Sequence, residues 1–177
     1  GRVPAGAVRD LPGSFTDVLP SLAELTGAAP PAGRTLDGVS LAAVWQGAEA
    51  APERQSPIFF FRYFHDPICM LREGDWCLLG YQTPIPYAEQ LDERALANLK
   101  PEAGQPAWSM WGFQPVHMTY LRDLEPSHFE LYNLHDDPQQ RRDLAADQPE
   151  RVARMKKRML ELRAEMVAEG GDWFAGE

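Results

Sequence analysis

Apolar positions near the N-terminus of this chain recur at helical spacing. In "SFTDVLPSLAELTG" they are Val18, Leu19, Leu22 and Leu25. Spacings of one, three and three predict an amphipathic helix with these side chains on its buried face. Asp17 suits the N-cap, because Pro20 then lies in the first turn, where no backbone donor is needed. Gly27 supplies the left-handed residue that ends a helix.

A second short helix is predicted in "SLAAVWQG", with Ser40 as its cap and Gly47 at its end. The pattern changes to aromatic and alternating residues at Ile58. "IFFFRYF" predicts a strand, and "ICMLREGDWCLLGY" predicts a β-hairpin that turns at Gly74.

The loop of this hairpin decides which residues face each other. A two-residue Glu73-Gly74 loop would force Glu73 to positive φ, so we expect the three-residue loop Arg72-Glu73-Gly74. In that register Leu71 faces Asp75, and Cys69 lies opposite Cys77.

The C-terminal third begins with one more strand and ends with a long helix. "HFELYNL" alternates in the manner of a half-buried strand, and Asp147-Gln148-Pro149-Glu150 predicts a capping box with proline in the first turn. A core-facing stripe follows at Val152, Met155, Met159, Leu162 and Met166. The pattern predicts an α+β fold, in which two short helices precede a small four-stranded antiparallel sheet with a long C-terminal helix packed on it.

The interval between the third and fourth strands has no such pattern. Only residues 89–99 read as a short helix, and the rest is rich in proline and aromatics. We therefore divide the chain into a helical segment, 1–55, and an α+β subdomain, 56–177, that carries an insertion over 83–127. A loop of this length in a compact domain is usually functional or packs on something else.

Composition removes some classes of function. The chain has 177 residues, 44% of them hydrophobic, and a formal net charge of −9. An acidic surface repels phosphate backbones, so we expect no nucleic-acid partner. No apolar run approaches the roughly 18 to 20 residues of a membrane span. Two cysteines exclude a disulfide scaffold and leave the compartment open.

Candidate chemistry concentrates at the first strand and the hairpin. Arg62, Tyr63 and His65 suit the rim of a pocket for an anionic ligand. His65 and Asp66 are adjacent, so on a strand they point to opposite faces and do not form a base and its orienting group. A metal hydrolase built on His65, Asp66 and Cys69 stays open as an alternative. No complete catalytic constellation is present, and the sequence predicts no catalytic or metal residue.

Three phrases in order resemble one family. "SFTDVLPSLAELTGAAPPAGRTLDGVSLAAVWQG", "LREGDWCLLG" and "FELYNLHDDPQQRRDLAADQPE" are similar to segments of the type I, formylglycine-dependent sulfatases of the arylsulfatase and N-acetylgalactosamine-sulfatase kind. The resemblance covers most of residues 2–170, with the insertion matched poorly. Cys77 stands where the family hairpin usually has Lys, and Gln140 where Glu is common.

The resemblance implies the C-terminal subdomain of an enzyme that hydrolyses sulfate esters of sugars or aryl groups. Family members use a formylglycine nucleophile from a Cys/Ser-x-Pro-x-Arg motif and a bound calcium ion. This chain contains no such motif, so we expect it to need an N-terminal catalytic domain as partner and to be inactive alone. Family members are commonly periplasmic or secreted.

The resemblance also suggests a role for the insertion, since C-terminal loops in the family can wall the substrate pocket. Trp108, Trp111, Phe113 and Tyr120 suit stacking on a sugar or aryl ring, with His117 beside them in sequence. Alternatively, these aromatics fill the seam against the catalytic domain. A different class also stays open, a free-standing carbohydrate- or anion-binding module.

Overall fold

The structure, a computed structural model, describes residues 3–30, 32–33, 35–50, 52–62, 67–82 and 121–170. The chain divides into two compact units, Gly1–Ile58 and Phe59–Glu177. The predicted helix over 89–99 and most of the predicted insertion lie outside the described residues. The boundary that we predicted between 55 and 56 stays a prediction.

The N-terminal unit contains a 3₁₀ turn and two short helices. The turn, Phe15–Asp17, leads directly into α1, Val18–Thr26, and α2 spans Ala42–Trp45. Ser14 begins the turn: its hydroxyl accepts a hydrogen bond from the Thr16 amide at 3.3 Å. Its own amide donates to Asp17 Oδ2 at 2.7 Å. The capping box therefore lies one turn earlier than the sequence indicates.

The ends of both helices follow the sequence pattern. Gly27 adopts a left-handed conformation with φ of 72°, as predicted for the end of α1. The Ala42 amide donates to Ser40 Oγ at 3.2 Å, so Ser40 caps the start of α2. Gly47, with φ of 118°, follows its last turn.

The predicted buried face of α1 is wrong. Val18, Leu19 and Leu22 are exposed, whereas the buried residues of the turn and helix are Asp17, Ser21 and Ala23. The helix thus turns polar residues inward, for a reason that its hydrogen bonds supply below.

The second unit is built on an antiparallel sheet in the order β1-β2-β3-β4. Its strands are β1, Ile58–Arg62; β2, Ile68–Glu73; β3, Trp76–Tyr81; and β4, His128–Asn133. Consecutive strands are neighbours, so the sheet is a simple meander. The interval 83–127 lies within the β3–β4 connection, which joins two hydrogen-bonded neighbours.

The hairpin between β2 and β3 has a two-residue loop, not the predicted three-residue loop. Glu73 pairs with Trp76, which leaves Gly74 and Asp75 in the turn. Only Gly74 has positive φ, 58°, as a type II′ turn requires at its first loop position. In this register Cys69 lies opposite Gly80, and Cys77 lies opposite Arg72.

The core lies between one face of the sheet and the last helix, α3, Pro149–Glu169. Its fully buried members are Cys69, Leu71, Leu78, Leu131, Met155 and Met159. Val152 and Leu162 pack against them, and Met166, at the far end of the predicted stripe, is exposed. The predicted α+β fold is confirmed.

The start of α3 differs from its prediction in one respect. Pro149 occupies the first turn as expected, but no side chain caps the helix at Gln148. The Asp147 carboxylate instead accepts a hydrogen bond from Arg142 Nη2 at 3.3 Å. This exposed ion pair competes for the oxygen that a capping box would use.

Candidate functional site

Most of the residues predicted to form a pocket rim are not among those described. Arg62 is exposed at the end of β1. Tyr63, His65, Trp108, Trp111 and His117 lie outside the described residues, as do Asp66, Phe113 and Tyr120. The predicted rim therefore stays a prediction.

The two cysteines cannot pair across the hairpin. Strand alternation places Cys69 on the face covered by α3 and Cys77 on the opposite face. Both are free thiols and both are buried. Burial raises the pKa of Cys69 to about 12, against a smaller effect of Arg163. Burial likewise raises the pKa of Cys77, so neither thiol is a thiolate nucleophile near neutral pH.

The face of the sheet opposite α3 carries a polar cluster that the sequence analysis missed. It consists of Tyr81, His128, Glu130 and Tyr132, which we call the tyrosine–carboxylate cluster. Both tyrosine hydroxyls donate to Glu130 Oε2, each at 2.8 Å. His128 Nε2 lies 3.5 Å from Glu130 Oε1, and the rings of His128 and Tyr81 are 5.8 Å apart. Pairing of Tyr81 with His128 brings the two strands' polar side chains together.

The protonation states in this cluster suit hydrogen bonding rather than proton transfer. Burial acts to raise the pKa of Glu130, but the hydrogen bonds from Tyr132, Tyr81 and His128 outweigh it and lower the pKa. Burial and the Glu130 carboxylate raise the pKa of Tyr81 to about 12 and also raise that of Tyr132. A general acid or base works best with a pKa near the operating pH. Near neutral pH the cluster is thus one ionised carboxylate held by two neutral phenols.

A second polar group lies in the N-terminal unit around the buried carboxylate of Asp17. Arg54 approaches it with both terminal nitrogens, Nη1 to Oδ1 at 2.9 Å and Nη2 to Oδ2 at 2.5 Å. The Val39 amide donates to Oδ1 at 2.9 Å. Nearby, Ser21 Oγ accepts a hydrogen bond from the Leu41 amide at 2.7 Å. We call these residues, Asp17, Ser21, Val39, Leu41 and Arg54, the Asp17 node.

The Asp17 node explains why α1 faces inward with its polar side. Its bonds tie the start of the helix to the "LDGVSL" loop and to Arg54. Gly38 completes the contact, because a Cβ at this position would collide with the carbonyl of Thr16. Every hydrogen bond of the carboxylate stays within the chain, which indicates a structural role.

The two ends of the interval 83–120 are fixed to one another. Gln82 Nε2 donates to the carbonyl of Leu124. Arg163 Nη2, on α3, donates to the carbonyls of Leu121 at 2.7 Å and Leu124 at 2.6 Å. The Ser127 amide donates to the Tyr81 carbonyl at 2.8 Å. We call this set of bonds the loop clamp, and it fixes where that interval leaves and rejoins the sheet.

Metal and membrane chemistry find no support among the residues described. Within them, no three His, Cys, Asp or Glu side chains come together as metal ligands, so these residues do not fit a calcium site. Of the alternative metal set, only Cys69 is described, and it is sealed in the core. None of the helices in the described ranges is both long and apolar enough to cross a membrane.

Comparison with known proteins gives one close match in sequence. A stretch of 63 residues is 43% identical to arylsulfatase D of Homo sapiens, and it spans 36% of this chain but 10% of that relative. No protein-family model matches the chain. The predicted resemblance to sulfatases is thereby confirmed.

Solved structures that align with the chain also carry sulfatase descriptions. A Bacteroides thetaiotaomicron VPI-5482 protein described as a sulfatase aligns over 86% of this chain and 24% of its own, at 20% identity and a TM-score of 0.43. A protein solved in complex with its substrate D-glucosamine-2-N,6-O-disulfate aligns over 85% of this chain and 23% of its own, at 14% identity and a TM-score of 0.44.

Proposed function

We propose that this chain is the C-terminal subdomain of a sulfatase that hydrolyses sulfate esters. The observation that carries the proposal is the 43% identity to arylsulfatase D. The order of the three sulfatase-like phrases supports it, since they fall on α1 with its following loop, on the β2–β3 hairpin, and on β4 with the start of α3.

In this proposal the chemistry resides in an N-terminal catalytic part. That part supplies the formylglycine nucleophile and the calcium ion, for which this chain offers neither the motif nor, in its described residues, a suitable ligand set. The chain contributes a rigid support instead. Its sheet, α3 and the loop clamp hold the interval 83–120 at a fixed place on the fold.

The proposed substrate is a sulfated sugar or an aryl sulfate. Arg62, Tyr63, His65 and His117 would form the polar rim of the pocket, and Trp108 and Trp111 would stack on the ring of the substrate. Support for this assignment comes from the chemistry of the side chains and from the sulfatase resemblance. In the joined protein, Trp108→Ala is expected to raise KM more than it lowers kcat.

The test is to recover the coding region upstream of Gly1 and to express the joined protein beside the chain alone. We expect a Cys/Ser-x-Pro-x-Arg motif upstream and hydrolysis of p-nitrophenyl sulfate by the joined protein only. Calcium removal should abolish that activity without unfolding the isolated chain. Turnover by the chain alone would contradict its role as a support, and an upstream region without the motif would contradict the sulfatase assignment.

A further inference from the structure

The helix α1 and the turn before it expose an apolar surface that a helix normally buries. Phe15 is 93% exposed, Val18 37%, Leu19 50% and Leu22 49%. Their spacings of three, one and three place them along one side of the turn and helix. We call these four residues the α1 patch.

The α1 patch cannot turn inward, because the Asp17 node fixes the opposite side of the helix. Asp17 and Ser21 are fully buried and bonded to residues of the "LDGVSL" loop and to Arg54. Rotating the helix to bury the leucines would expose this ion pair and break both bonds to the loop. The orientation is therefore a property of the unit.

An apolar patch held outward on a structured helix is typical of an interaction surface rather than of a solvent-facing side. We infer that the α1 patch is the surface on which the catalytic part of the same sulfatase docks. The inference rests on the proposed function. It gains support from the extent of the sequence match, since nine-tenths of arylsulfatase D has no counterpart in the matched stretch.

The chemistry of the patch describes the surface that it would meet. All four side chains are hydrocarbon, and the nearest anchoring charges, Asp17 and Arg54, are paired with each other inside the unit. The partner surface should accordingly be apolar and uncharged at its centre, with Phe15 as the most protruding anchor. A phenylalanine of this exposure recovers the most apolar area when it is covered.

The test uses the upstream catalytic polypeptide, expressed separately, and this chain carrying an affinity tag. The patch variants are Leu19→Asp/Leu22→Asp and, with better helix propensity, Leu19→Gln/Leu22→Gln. The matched control is Val3→Asp/Val8→Asp, which changes two exposed apolar residues of the same unit outside the patch. Circular dichroism of the isolated variants checks that each chain remains folded.

We expect the wild-type chain and the control to bind the catalytic polypeptide with equal affinity, and both patch variants to bind at least tenfold more weakly. Equal binding by patch variants and wild type would overturn the inference and leave the sulfatase proposal standing. Patch-dependent self-association of the wild-type chain, without binding to the catalytic polypeptide, would overturn it in favour of a second copy. An upstream region without the nucleophile motif would remove the proposed function itself.

Discussion

Asp17 holds a negative charge where water does not reach it. Its side chain is fully buried, and Arg54, 37 residues away in sequence, is its counter-ion. Two backbone amides, of Ser14 and Val39, complete the shell of the carboxylate. The fold of the N-terminal unit thus depends on one pair of charges.

Replacing Arg54 by Met should destabilise the N-terminal unit by about 3–5 kcal/mol, because it leaves the buried carboxylate without its counter-ion. Hydrogen exchange of the Val39 and Leu41 amides in denaturant measures this loss. The control is Arg142→Met, which removes an exposed pair with Asp147 and should cost about 0–1 kcal/mol. Equal effects of the two substitutions would show that the Asp17 pair is not desolvated in solution.

The same carboxylate makes a prediction about pH. Burial acts to raise the pKa of Asp17, but Arg54 and the two backbone amides outweigh it and hold the pKa below its ordinary value of 3.8. A depressed pKa stabilises the folded state above the unfolded-state pKa, and this stability is lost as the pH falls through the folded-state pKa. We therefore expect protection of the Val39 amide to decline below about pH 4.

Asp17→Asn provides the comparison for this pH dependence. The variant should be less stable at pH 7, and its stability should vary less between pH 4 and pH 2 than that of the wild type. A decline of the same steepness in both proteins would assign the acid sensitivity to another carboxylate.

At the scale of elements, α3 stabilises the second unit through its two buried methionines. Met159 lies in the core, and its sulfur approaches the space beside Gly80 on β3. Met159→Ala should lower the free energy of unfolding of this unit by about 2–5 kcal/mol through lost burial and a cavity. Met166→Ala, on the exposed end of the same stripe, should cost well below 1 kcal/mol.

Urea unfolding followed by circular dichroism at helical wavelengths separates these two variants. A large loss in the Met166 variant would mean that the stripe is covered in solution along its whole length. A small loss in the Met159 variant would mean that the sheet and α3 repack around the missing side chain.

The elements that the sequence predicts correctly are those whose apolar period is local, such as β4 and the Met155–Met159 stripe. The failures arise where a distant partner decides. The burial of Asp17 depends on Arg54, and nothing in the helical period of α1 reveals it. The hairpin register depends on whether Gly74 opens or closes the loop, and the sequence allows both.

The same reasoning applies to the tyrosine–carboxylate cluster. Alternation along β4 puts Glu130 and Tyr132 on one face, which the sequence does show. Tyr81, 49 residues before Glu130, joins them only because β3 and β4 pair in a particular register across a long interval. The predicted rim at Tyr63, His65 and Trp108 rested on side-chain chemistry and the family resemblance, without a register to test it.

At the scale of the whole molecule, the two units differ in how much core each contains. The main core cluster lies entirely in the second unit, between the sheet and α3. Buried apolar residues in the described part of the first unit are mostly small, Ala23, Ala42 and Val44, with Ile58 at its end. Domains of about 60 residues bury too little apolar surface to be more than marginally stable. The second unit should fold without the first, whereas the first should depend on a partner.

We therefore expect a fragment of residues 56–177 to unfold cooperatively in urea, with a midpoint close to that of the full chain followed by a probe on α3. A fragment of residues 1–55 should show little helical circular dichroism, and the catalytic polypeptide should restore it, because docking would cover the α1 patch. The control fragment, 1–55 with Leu19→Gln/Leu22→Gln, should remain unfolded in the same mixture. A non-cooperative transition of 56–177 would mean that the sheet needs residues before Ser56, and a helical 1–55 fragment would mean that the Asp17 node alone sustains the first unit.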